Sequence, residues 1–393
     1  MYKLKFTKKR AQKLDAVQKG TDKMRVGCVK EKKKMENRVG LTPVNAREYV
    51  QHGHSVLMEK DSGINSSFTN EEYLAVGAQI ADTASEVWEN SDLIVKVKEP
   101  LPEEYSYLRD GLMIYAYMHL AADRKLTEEL LRKKVTVVAY ETMRDKNGGL
   151  PLLKPMSEVA GRLSVQEGAK YLEKPMGGMG LLISGVPGVR RANIVIIGGG
   201  VVGMNACKIA SGIGANVTII DNNIDRLAYL DDIFGKDIQT QFSTDSAIEK
   251  ALESADLVIG AVLIPGAVAP KLIKKEYLCK MKPGSVIVDV AVDQGGCCET
   301  TTPTYHDNPT FVLDGVVHYC VGNMPAAVPL TSTYALTNAT LSRGLMLADY
   351  GLEDAVARDP LFFTGVNCHK GFLTCKGVAE AFDFEYTDFA STI

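Results

Sequence analysis

Ile194-Val195-Ile196-Ile197-Gly198-Gly199-Gly200-Val201-Val202-Gly203 is the stretch on which the fold turns. Four aliphatic residues read as a buried strand and 204–211 reads as a helix, so the glycines fall at a strand-to-helix turn. Glycine makes up 35 of the 393 residues, so the spacing alone arises readily by chance. Its position between strand and helix carries the weight. There Gly198 permits a tight turn, Gly200 lets the backbone approach a pyrophosphate, and Gly203 allows close helix–strand packing. The helix N-terminus adds unpaired N–H groups and partial positive charge. The next strand, 217–220, runs into Asp221, 18 residues past Gly203. A carboxylate there suits both hydroxyls of a ribose and repels a 2′-phosphate, which favours NAD over NADP. Arg226 complicates this, because a nearby guanidinium could host that phosphate or stack on the adenine.

Working outward, 257–262 and 286–292 continue this series of strands. Upstream, apolar runs at 24–28, 56–59, 93–97, 112–117 and 135–140 alternate with polar helix-forming pieces such as 125–134. Such alternation predicts βαβ units and parallel sheets. Residues 157–173 read as a long helix with Ser157, after Pro155, as its N-cap. A glycine-rich break at 177–188 precedes the second series. The chain turns helical again after Pro329, through 334–348, and ends in a mixed segment. The expected fold class is α/β, with two Rossmann-like domains separated by an interdomain cleft.

Composition bounds the function. With 46% hydrophobic and 24% charged residues, the chain is ordinary for a globular protein. Its 45 basic and 48 acidic residues leave −3, too balanced for a nucleic-acid-binding field. The most apolar stretch, 256–271, is broken by Pro265 and Gly266, so no membrane span is expected. The eight cysteines show no zinc-ligand spacing and read as reduced thiols of an intracellular, cytoplasmic protein. Residues 1–23 carry +6, leaving −9 in the remainder. They lack the apolar core of a secretory signal and the serines of a transit peptide, and read as a solvated basic extension upstream of a start at Met24.

A dinucleotide fold does not name a reaction. Polar residues closing apolar runs are the better guide, because ligands bind outside the carboxyl ends of strands in open α/β sheets. Lys98 closes the run from Leu93, His119 the run from Leu112, and Asp293 the run from Val286, just before Gln294-Gly295-Gly296. Arg38 follows the first strand. Each also has a structural reading. Lys98 snorkels to solvent, with Lys96 on the same face, His119 is one histidine of six, Asp293 forms a turn, and Arg38 pairs with Glu36 or Glu31 at the surface.

Taken together, these residues resemble the alanine dehydrogenase and transhydrogenase group, and within it the L-alanine dehydrogenases. The resemblance covers essentially all of 24–393. It includes Glu36-Asn37-Arg38-Val39, Lys96-Val97-Lys98-Glu99-Pro100, Pro155-Met156-Ser157-Glu158-Val159-Ala160-Gly161-Arg162, Gly185-Val186-Pro187-Gly188 and Asp293-Gln294-Gly295-Gly296. Asn323-Met324-Pro325, through Thr331-Ser332-Thr333-Tyr334-Ala335-Leu336-Thr337-Asn338, completes it. The resemblance implies that Arg38 and Lys98 hold a substrate carboxylate, that His119 is the acid/base, and that Asp293 is the second catalytic group. It implies cofactor contacts from Ser157, Val201, Val202, Asp221, Arg226, Ser243, Val262 and Leu263. Val321, Gly322, Asn323 and Met324 join them, and we group Val290, Ala291 and Val292 with the same site. It further implies a discontinuous substrate domain, 24–152 and 329–393, beside an NAD-binding domain, 153–328, and a homohexamer. Glu141 matches a magnesium position of some relatives, but the expected histidine partner is Tyr350 here, so no metal is assigned. Thr302, where some relatives carry arginine, is left unassigned.

The expected reaction is the reversible oxidative deamination of L-alanine to pyruvate and ammonium. Proton shuttling near neutrality suits an imidazole, and two cations offset the desolvation of a carboxylate. The transhydrogenase subunit, a reductase joining a larger amine to a keto acid, and a cofactor-binding protein without turnover are the rivals.

Overall fold

Short runs of aliphatic and β-branched residues build two sheets, each with its own apolar core. The computed structural model describes residues 23–262 and 268–393. The expected basic extension, Lys23 apart, and Leu263 lie outside the described residues. The chain forms two units: one runs to Pro155 and resumes over Val328–Ile393, and the other is Met156–Ala327.

The first unit opens with β1 (Arg25–Cys28), β2 (Ser55–Glu59), β3 (Gln79–Ala81), β4 (Leu93–Val95), β5 (Met113–Ala116) and β6 (Thr136–Ala139). The second holds β7 (Asn193–Ile197), β8 (Asn216–Asp221), β9 (Ile238–Phe242), β10 (Leu257–Gly260), β11 (Val286–Asp289), β12 (Thr310–Leu313) and β13 (Val316–Tyr319). β14 (Val366–His369) and β15 (Phe372–Leu373) belong to the first unit again. Its sheet runs β15-β14-β6-β5-β4-β1-β2-β3, and that of the second unit β12-β13-β11-β10-β7-β8-β9. Both are parallel except at one edge, where β14 and β15, or β12, run antiparallel. In both, the strand order reverses beside the first strand, between β1 and β4 and between β7 and β10. This is the doubly wound arrangement, whose ligands lie beyond the strand ends at the reversal.

Each sheet ends in an antiparallel hairpin at one edge, closed by a two-residue turn. Asp314-Gly315 and Lys370-Gly371 each hold two consecutive positive φ values, the backbone twist that closes a tight hairpin. Elsewhere β6, β10, β11 and β13 are buried at every residue, as sheets covered on both faces require. Trp88, Ile94, Ile114 and Leu126 lie in one core, and Val195, Val258 and Ile287 in the other.

Several strands stop earlier than their apolar runs imply. β4 ends at Val95, β5 at Ala116 and β11 at Asp289. Lys98, His119 and Asp293 therefore stand on the loops beyond the strands, not on their last residues. Ser157 is not an N-cap either: the helix Lys154–Tyr171 already contains it, with Pro155 in the first turn, where a missing N–H breaks no helical bond. The helix Pro329–Arg358 is interrupted at Gly351. It packs on the first unit, where the Thr333 hydroxyl oxygen accepts the Val39 N–H at 3.3 Å and the Tyr115 hydroxyl donates to the Thr340 carbonyl at 3.2 Å. No helix among the described residues is long and apolar enough to cross a membrane.

Candidate active site

In the second unit, β7 delivers the glycine loop to the reversal point. Gly198 has φ +102°, and a Cβ on Gly203 would stand 1.9 Å from the Gly198 carbonyl oxygen. Only glycine lets the helix Val201–Ile213 start this close to the turn. Gly200 caps that helix without any side-chain hydrogen bond, and a Cβ there would meet nothing within 4 Å. An uncapped helix N-terminus beside open space fits a pyrophosphate. Asp221 ends β8, and its carboxylate accepts the Gly199 N–H at 2.6 Å and the Asn223 N–H at 2.8 Å. Two lone-pair directions of a carboxylate remain for ribose hydroxyls. The Arg226 guanidinium donates from Nε to the Gly199 carbonyl at 2.5 Å and lies 4.8 Å from the Tyr229 ring centre. The loop carbonyl thus holds one edge of the guanidinium. These residues fit a dinucleotide.

The other expected cofactor residues of this unit gather at the same strand ends. Ser243 follows β9 and donates its N–H to the Asp221 carbonyl at 3.0 Å. Val262 follows β10, and Val290, Ala291 and Val292 follow β11. Ser157 lies one helical turn before Gly161, so the two share a face. A Cβ on Gly161 would stand 2.2 Å from the Val202 carbonyl, which brings that face against the start of the helix Val201–Ile213. Asp293 sits in a 3-10 turn, Val292–Gln294, and accepts the Asn323 N–H at 3.2 Å. This links it to the turn of Val321, Gly322, Asn323 and Met324. Sequence reasoning missed Asp289, a buried carboxylate that accepts the N–H of Ala291 at 3.0 Å and of Cys298 at 3.2 Å. It braces both ends of the loop carrying Asp293. A charge inside the apolar run Val286–Asp289 was its signal.

The first unit holds the cations. Arg38 pairs with Glu36 but not at the surface: it is 2% exposed, with Nε–Oε1 2.7 Å and Nη2–Oε2 2.5 Å. Burial opposes its charge most strongly, but Glu36, with Tyr117 and Glu31, more than offsets it and the guanidinium pKa is raised. Lys96 does not reach solvent. It is fully buried, 2.9 Å from Glu104 and 3.6 Å from Glu31.

Lys98 and His119 meet. Lys98 Nζ lies 3.2 Å from His119 Nε2, although the two residues come from the loops after β4 and β5. Burial, and then the Arg38 charge, lowers the Lys98 pKa. His119 is exposed, yet the protein packed about its ring disfavours the imidazolium, and the cations of Lys98, Lys33 and Arg38 add repulsion. Its pKa is held well below the ordinary histidine value. An ammonium donating to Nε2 makes that nitrogen the acceptor and leaves the ring proton on Nδ1. The backbone at His119 is left-handed, φ 47°, a conformation that costs about 1 kcal/mol or more for a residue with a Cβ. Glu141 holds it there, accepting the His119 N–H at 2.6 Å and the Met118 N–H at 3.1 Å. The Tyr117 ring stacks on the imidazole at 6.2 Å. A base whose protonation is disfavoured beside cations can pass a proton while those cations hold an anion.

Residues 27–160 match the model of the alanine dehydrogenase/PNT N-terminal domain, and residues 164–376 that of the C-terminal domain. The alanine dehydrogenase of Halomonas elongata is 52% identical over 370 residues, covering 94% of this chain and all of that protein. A solved L-alanine dehydrogenase superposes with a TM-score of 0.89 at 48% identity, covering 92% of this chain and 99% of that one. A transhydrogenase from Sinorhizobium meliloti shares the fold, with a TM-score of 0.76 at 24% identity over 90% of this chain and 99% of that one. The chain belongs to the alanine dehydrogenase/PNT family.

Proposed function

We propose that this protein is an NAD-dependent L-alanine dehydrogenase, catalysing the reversible oxidative deamination of L-alanine to pyruvate and ammonium. The observation that carries the reading is the 3.2 Å contact between Lys98 Nζ and His119 Nε2, with the buried guanidinium of Arg38 in the same unit. Kinship to alanine dehydrogenases over nearly the whole chain supports the substrate.

Arg38 and Lys98 hold the substrate carboxylate. A guanidinium has five N–H donors, and Glu36 takes those of one edge. The nicotinamide, when bound, supplies the acceptor for the Cα hydrogen and its electron pair. An ammonium has no lone pair with which to drive that departure, so the substrate reacts as the free amine. His119, neutral at physiological pH, takes a proton at Nε2 and returns it as water adds to the imine carbon and the amine leaves. Asp293 stabilises positive charge at the reacting nitrogen and orients the water. Asp221 favours NAD, since a second anion beside its carboxylate is repelled and one edge of Arg226 is already engaged by the loop. Eight free cysteines suit a reducing, cytoplasmic setting, and the working form is a homo-oligomer, a hexamer by family likeness.

The test is NADH absorbance with L-alanine, glycine and serine in one direction, and with 2-oxo acids plus ammonium in the other. Turnover should be fastest with L-alanine and with pyruvate plus ammonium, and slow with NADPH. An absence of absorbance change with every pair refutes the reading.

A further inference from the structure

The buried charges around Lys96 do no chemistry in this scheme, yet they surround the loop that carries Lys98. Glu31 Oε1 accepts the Val97 N–H at 2.6 Å and the Lys98 N–H at 3.3 Å, reaching across from the loop after β1. Its second oxygen faces Lys96 Nζ at 3.6 Å. Lys96 continues to Glu104 at 2.9 Å, and Glu104 Oε2 accepts the Leu101 N–H at 3.0 Å. Two carboxylates, bridged by one ammonium, therefore hold the loop on both sides of Lys98. The Tyr117 N–H, donating to the Val97 carbonyl at 3.2 Å, ties the same loop to the segment that leads to His119.

This arrangement is costly where nothing requires it. Glu31 and Glu104 are 9% and 1% exposed and Lys96 fully buried, and replacing such charges by apolar groups is often neutral or stabilising. Burial raises the Glu31 pKa to about 7 despite the Lys96 ammonium. Backbone hydrogen bonds to a buried carboxylate are directional and short, so what the charges provide is a fixed position for the loop.

We propose that Glu31 is a positioning residue for Lys98, its carboxylate holding the Val97 and Lys98 amides so that the ammonium stands where it meets both the substrate carboxylate and His119. The proposal rests on the reading of Lys98 as a substrate-binding cation. Glu31 touches no reacting atom in this role and acts only through the loop.

The experiment is a double-mutant cycle in the full chain between Lys98→Met and two Glu31 variants. Glu31→Ala removes the clamp. Glu31→Asp keeps the charge for Lys96 and withdraws the carboxylate by about 1.5 Å, one carbon–carbon bond, which serves should the alanine variant not fold. On the Lys98 background, Glu31→Ala should raise the KM for pyruvate about tenfold and Glu31→Asp about fivefold. NADH affinity, read by fluorescence titration, should stay within about twofold, since the glycine loop belongs to the other unit. On the Lys98→Met background both changes should shrink to less than about twofold. Equal factors on both backgrounds, or a fall in NADH affinity as large as the rise in KM, overturn the clamp and make Glu31 a general stabiliser. If Lys98→Met leaves the KM unchanged, the substrate-binding reading fails, and the proposal falls with it by a separate and recognisable result.

Discussion

Lys98→Met should move the titration of His119 upward. In the native protein the ammonium lies 3.2 Å from Nε2, and it stands with burial, Lys33 and Arg38 among the causes that hold the imidazole pKa well below its usual value. His119 is exposed, so the water-like limit is the appropriate floor for a screened charge pair. Coulomb's law at that distance and a dielectric constant near 80 gives about 1.3 kcal/mol, or about one pKa unit. The sign follows from which form is penalised. The neighbouring ammonium destabilises the imidazolium, so removing it favours protonation and the pKa rises. Between the two values the native protein holds a neutral base where the variant holds a cation. Alanine oxidation needs the neutral form, so the acidic limb of the kcat/KM profile should shift to higher pH by about one unit. Histidine NMR titration, with His119→Gln identifying the resonance, measures the same pKa without turnover. An acidic limb and a resonance that both stay in place would refute the coupling, whatever the variant does to KM.

Other outcomes follow from the two units separately. His119→Ala and Asp293→Asn should each lower turnover by about a hundredfold or more while NADH still binds, as followed by steady-state rates and fluorescence; near-normal rates in both would remove them from the mechanism. Asp221→Ala should weaken NADH binding and narrow the preference over NADPH, and an unchanged ratio of kcat/KM values would end its ribose role. Glu36→Gln removes the carboxylate that grips the buried Arg38 guanidinium and should cost about 3–5 kcal/mol in denaturant unfolding; a loss under about 1 kcal/mol would show that Glu36 is not the main compensation for that charge.

Much of the candidate site was readable as spacing. The glycines after Ile197, the acid at Asp221 and the polar residues closing the runs from Leu93, Leu112 and Val286 are local features, because a strand end puts its next residues at the ligand edge of the sheet. The length of each strand was not readable this way. The apolar run to His119 continues past β5, and the chain leaves the sheet at Ala116 because Glu141, from another loop, captures the Met118 and His119 amides. The hairpin at the edge of the second sheet does carry a local signal, Asp314-Gly315, both at positive φ.

Sequence by itself determined the α/β class and the glycine loop with its acid, since these depend on residues close together along the chain. Tertiary structure alone decided which groups became partners. Glu31 is 67 residues from the Lys98 amide it holds, His119 is 21 residues from Lys98, and Asp293 is 30 from the Asn323 N–H. Whether a carboxylate is solvated or buried against a distant amide depends on which strands the sheet places side by side. The surrounding protein and the neighbouring charges then set how strongly each charge is felt, disfavouring the His119 imidazolium and leaving Arg38 a buried ion.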